Sequence, residues 1–178
     1  MEASIYKLNP KKIKALDVEC LKEGTFIWVL HADKIPPHIG ISHNGLYYSL
    51  KANGRDFALP FKEVIQVIKR KQIASLFVEV LNENEQNLFD FFIENKNIII
   101  SKSTCLTPLI KYLLKVDEPL ILVELLDKLS KEQRIKTIFG LHLKADFDGI
   151  PNYDHLDIKK RIQDIQYVKR SKHFSKSN

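Results

Sequence analysis

The chain has 178 residues, 44% hydrophobic and 28% charged, enough for one compact domain that buries a core without disulfide or metal staples. A net charge of +6 permits contact with nucleic acid or anionic lipid, but no nucleic-acid motif and no basic patch interleaved with aromatics accompanies it, so nucleic acid is not an expected partner. Two distant cysteines, Cys20 and Cys105, and an N-terminus with no apolar signal core point to a reducing cytoplasm; no apolar run approaches the roughly 20 residues of a membrane span.

Residues 2–23 mix lysines with Ile13, Leu16, Val18 and Leu21, a pattern that fits either an extended lead-in or a short helix. "GTFIWVLHA" is a run of large and β-branched residues and predicts a buried strand, ended by "DKIPP" with His31 at its close. Next comes Asn44-Gly45, the pair favoured where a two-residue hairpin turn needs positive φ, so His38–Ser42 and Leu46–Lys51 are expected to pair antiparallel. Asn53-Gly54 then reverses the chain into "RDFALP".

"PFKEVIQVIKRK" places Phe61, Val64, Ile65 and Ile68 on one helical face, and "IASLFVEVL" suits a strand. An amphipathic helix, "ENEQNLFDFFIEN", precedes "NIIIS". Pro108 is tolerated only in an opening helical turn, so the following helix should begin close to Cys105, with Ser103 or Thr104 as its cap. "LTPLIKYLLK" carries that helix to Asp117-Glu118-Pro119. "PLILVELLDKLSKEQRIKTIFGLHL" reads as one further helix or two, and "DFDGIPNYDHLDIKKRIQDIQYV" as a turn-rich linker and a last helix. The expected fold is α+β: an antiparallel meander with helices on one side. Residues 1–116 form the core with the candidate site, and residues 117–178 form a mostly helical extension with a basic tail, either appended or part of the same domain.

Two residues carry the chemistry. Cys105 near a helix N-terminus would feel the positive end of the helix dipole and free N–H groups, which favour thiolate over thiol, and His38 at the start of a strand could take the thiol proton. Against this, a free cysteine beside Leu106 and Leu109 is also an ordinary small core residue. His43 reads as an exposed turn residue, and His31 as a strand-end cap or a second cleft residue. The histidines and Cys105 lack the paired spacing of a zinc site, "DFDGIPNYDHLD" lacks the calcium-loop pattern, and no Gly-rich phosphate loop is present; no cofactor is expected.

"PPHIGISHNGLYYSL" followed by "STCLTPLIKYL" resembles the histidine strand and cysteine helix of the circularly permuted papain-like fold, a group that includes permuted NlpC-type peptidases, lecithin:retinol acyltransferase-like proteins and PPPDE-type isopeptidases. The resemblance covers roughly Phe26 to Leu114. It implies a thiol hydrolase or acyltransferase acting on a peptide, amide or ester substrate through Cys105, with His38 as base. A third residue would orient the histidine; Tyr48 and Ser49 lie on the next strand, cannot both point the same way, and Tyr48 is the expected choice. The alternative is a non-enzymatic interaction domain that binds an acidic partner through the basic C-terminal segment.

Overall fold

The computed structural model describes residues 5–93, 96–99 and 103–174. Nine strands are described: β1 (Ile5–Lys7), β2 (Ile13–Ala15), β3 (Thr25–Leu30), β4 (His38–His43), β5 (Leu46–Lys51), β6 (Gly54–Pro60), β7 (Ser75–Val80), β8 (Ile135–Leu141) and β9 (Gly149–Pro151). Five α-helices join them: α1 (Phe61–Lys71), α2 (Leu88–Ile93), α3 (Thr107–Leu114), α4 (Leu122–Lys131) and α5 (His155–Phe174). The fold is α+β, with a seven-stranded mixed sheet in the order β2-β8-β7-β3-β4-β5-β6 and a small β1-β9 pair. Strands β3 to β6 form the expected antiparallel meander.

All six residues of β3 are buried, so the strand must be covered on both faces. Strand alternation sends Ile27 and Val29 to one face, where Ile39, Ile41 and Tyr48 join them beneath α2, α3, α4 and the start of α5. It sends Phe26, Trp28 and Leu30 to the other, against Tyr47, Phe77 and the Phe61, Ile65 and Ile68 stripe of α1. Helices thus cover both faces, not one, because α1 carries an apolar stripe of its own and the sheet offers it an aromatic surface. Trp28 stacks on Tyr47 and Phe77 and donates its indole N–H to Ser42 Oγ at 2.9 Å, so its one polar atom is satisfied within this core.

The Asn44-Gly45 turn forms as expected: His43 pairs with Leu46, and φ values of 47° and 80° at Asn44 and Gly45 match the mirror-image turn whose twist suits a hairpin. Gly40 serves close approach, since a Cβ there would collide with the Tyr47 ring. Two expectations change. The lead-in contains two short strands and two 3-10 turns, and "RIKTIFGLHL" is no helix: β8 pairs antiparallel with β7 and parallel with β2. Its β-branched and aromatic residues suit that slot, and the 117–178 segment is thereby woven into the main sheet and, through β9, into the pair with β1. The second half of "ENEQNLFDFFIEN" yields the helix α2, while its last two residues and the last two of "NIIIS" lie outside the described residues.

Arg134 fastens the helical layer to the sheet. Its buried guanidinium donates to the Leu81 carbonyl at 3.1 Å, to the Leu113 carbonyl at 2.9 Å and to Glu132 at 3.0 Å, which satisfies a carbonyl in the last turn of α3 that has no helical partner. No described helix is long and apolar enough to cross a membrane. Arg134→Ala leaves both backbone carbonyls without this donor and is expected to lower stability by about 3 kcal/mol in urea denaturation.

Candidate active site

A cavity of about 620 Å³ opens where β3, β4 and β5 end together. Leu30 and His31 close β3, His38 opens β4, and Lys51 with Ala52 and Asn53 turns β5 into β6; each of these lines it. Cys105 and Leu106 enter from the turn ahead of α3, and Ile158, Arg161, Ile162 and Ile165 of α5 form a wall. Gln166 holds that helix in place by donating to the Ala52 carbonyl at 3.1 Å. The structure therefore brings Cys105, His38 and His31 to one cavity.

The Cys105 turn is locked by local hydrogen bonds. Thr104 Oγ1 accepts from the Leu106 N–H at 3.2 Å, and Thr107 Oγ1 accepts from the Thr104 N–H at 2.9 Å. Pro108 occupies the opening turn of α3, as its missing N–H requires. Pairing between β4 and β5 begins at Gly40, and the N–H of Ile39, just beyond it, points to the Cys105 sulfur together with those of Cys105 and Leu106. Even so, burial dominates and pushes the thiol up to about 11, against the three N–H groups that would lower it. The thiolate expected from the helix end is not favoured, since α3 begins two residues after Cys105 and the sulfur is enclosed by apolar side chains. Cys105 keeps part of its surface open, as a residue on a cavity wall does.

His38 is shifted the opposite way. Burial lowers its imidazole to about 4, while the Asp56 carboxylate opposes the shift and Lys51 and His31 add to it. Its Nε2 is buried with no hydrogen-bond partner, so no hydrogen bond joins that nitrogen to the sulfur in this state. The resting pair is a neutral thiol and a neutral imidazole.

Tyr48 does not stand behind His38. Ile41 pairs with Tyr48 and Gly40 with Ser49, so alternation puts Ser49 on the His38 side and Tyr48 on the other, packed against Phe57 and Phe92. The polar group behind His38 is instead Asp56 of β6, which accepts from Ser49 Oγ at 2.7 Å and pairs with Lys51 at 2.5 Å. The turn register carried this signal, because it fixes which β5 residues share the His38 face. His43, at the far end of β4, is half-buried, not an exposed turn residue: Nδ1 meets Thr25 Oγ1 at 2.8 Å and Nε2 meets the Asn44 amide at 3.1 Å, a structural role. His31 lines the cavity, its pKa lowered by burial and then by Lys34. Among the described residues no group of three or more His, Cys, Asp or Glu side chains is gathered as metal ligands would be.

No family model, no curated protein and no solved structure matches the chain.

The His38 shift fixes a pH dependence. Its folded pKa lies below the unfolded value of 6.5, so the unfolded chain binds more protons between the two; this contribution is fully present above 6.5 and is lost as pH falls toward about 4. Urea denaturation at pH 7 and pH 4 should show the wild type losing at most about 3 kcal/mol more than His38→Asn. Histidine NMR titration should place the His38 midpoint near 4, and a midpoint at the ordinary value would contradict the burial.

Proposed function

We propose that the chain is a thiol hydrolase or acyltransferase of permuted papain-like type, acting on an amide or ester bond through an acyl-enzyme at Cys105, with His38 as base. The observation that carries the reading is one cavity whose lining includes both Cys105 and His38. The His38 Nε2 is buried without a hydrogen-bond partner, and backbone N–H groups face the sulfur. The order of a histidine strand, β4, ahead of a cysteine-bearing helix turn supports it further.

The chemistry follows from the two neutral groups. Sγ attacks the carbonyl carbon as its proton passes to His38, directly or through one water; the C–S bond forms and the C=O electron pair moves to oxygen. In this reading the Ile39 and Cys105 N–H groups beside the sulfur are the donors for that oxyanion. Collapse expels the amine or alcohol, which takes the proton from His38 and leaves a thioester. Water, or a second nucleophile in acyl transfer, then attacks the thioester and gives its proton to His38; as the C–S bond breaks, His38 returns that proton to Sγ and Cys105 leaves as the thiol. A thiol with a pKa near 11 is not ionised at rest, so proton transfer accompanies attack.

The alternative is an interaction domain that meets an acidic partner through the basic C-terminal segment; the raised thiol pKa favours it, since an inert core cysteine behaves the same way. Hydrolysis of 4-nitrophenyl acyl esters separates the two. Cys105→Ala should abolish turnover, and His38→Asn should reduce kcat/KM by about 10²- to 10⁴-fold. The acid limb of kcat/KM should lie near 4 and move lower in Asp56→Asn, because the Asp56 charge is what raises the His38 pKa against burial. Turnover unchanged by either Cys105→Ala or His38→Asn would leave the interaction domain as the better account.

A further inference from the structure

The cavity has a one-sided charge. Its lining includes five basic side chains, His31, Lys34, His38, Lys51 and Arg161, and no Asp or Glu. Lys51 is already taken by Asp56, which stands behind the wall. Lys34 and Arg161 are exposed at the rim and have no ion pair among the described residues. They lie close enough to His31 for both to disfavour its protonation; only Asp33, outside the lining, acts the other way. Lys34 comes from the β3–β4 connection and Arg161 from α5, so two separate parts of the chain deliver cations to one place.

The rest of the lining is apolar. Ile35, Pro36 and Pro37 face the cavity from the β3–β4 connection, and Ile158, Ile162 and Ile165 face it from α5. Ile35 and Ile165 are exposed, at 47% and 36% of their surface, an arrangement that leaves apolar side chains in water beside unpaired cations. A volume of about 620 Å³ is within the range that holds a small organic molecule.

We infer that the cavity selects a substrate with an apolar chain and one oxyanion, a carboxylate or a phosphate monoester, held at the rim by Lys34 and Arg161. The inference rests on the acyl-transfer reading above for the word substrate, but the recognition itself needs only the cavity. The apolar chain covers the isoleucine and proline walls, and the oxyanion supplies the two cations with the partner they lack.

Binding to the full-length Cys105→Ala protein tests this without any turnover. Calorimetric titration with octanoate and octyl phosphate is compared with neutral octanamide and octanol. Both anions should bind at least about tenfold more tightly than their neutral counterparts, and the preference should shrink as salt rises. The tighter of the two anions identifies carboxylate or phosphate as the natural group. Lys34→Gln and Arg161→Gln should each weaken anion binding by about threefold and leave octanamide unchanged. Equal affinity for charged and neutral chains, or anion binding indifferent to both substitutions, would overturn the inference. Anion selectivity in Cys105→Ala together with a wild type inert toward 4-nitrophenyl esters would uphold the recognition site and sink the acyl-enzyme reading instead.

Discussion

The pairing of β3 with β4 is the constraint on which the rest depends. Its register sets Leu30 opposite His38, so β3 ends where β4 begins, and the connection between them lies over the same end of the sheet as the turn after β5. A slip of one residue would exchange the faces of β4: His38 would enter the aliphatic layer, while Ile39 and Ile41 would face Trp28 and Tyr47. Burial of β3 on both faces opposes such a slip, because two differently shaped cores would have to be rebuilt at once. The cavity is the space left where this fixed edge meets the Cys105 turn and α5.

Desolvation then sets the chemistry of that space. The same enclosure raises the Cys105 thiol and lowers the His38 imidazole, so both groups rest uncharged. Asp56 tempers the effect on His38 from behind the wall, and its own charge is balanced by Lys51 and the Ser49 hydroxyl. Among the described lining residues, Lys34 and Arg161 carry charge without an ion pair at the exposed rim, where screening by water makes it tolerable. An apolar cavity wall with a neutral thiol, a neutral imidazole and a cationic rim is one consistent electrostatic arrangement.

Much of the meander was legible because its signals are local. Asn44-Gly45 determines a hairpin by its own φ values, and the α1 stripe declares itself within eleven residues. Tyr48 was misplaced although the same turn register, followed through, assigns Ser49 to the His38 face. Other features depend on distant partners. The seven residues of β8 are a short apolar run that periodicity alone cannot tell from helix; β7 and β2 decide its state. Arg134 reaches carbonyls 53 and 21 residues away, and Asp56 of the neighbouring strand acts on His38 through its charge, neither of which any local pattern announces. The thiol shift escaped because a helix end is visible in sequence, whereas the degree of burial around it is a property of the assembled layers.

The most direct measurement of the central claim is trapping of the covalent intermediate. The protein, mixed with a 4-nitrophenyl acyl ester and quenched in acid within one turnover, is digested and examined by mass spectrometry. The account predicts one acyl group, labile to hydroxylamine, on the peptide carrying Cys105 and none on that carrying Cys20, with accumulation slowed in His38→Asn. No adduct at Cys105, or equal acylation of both cysteines regardless of His38, would contradict it.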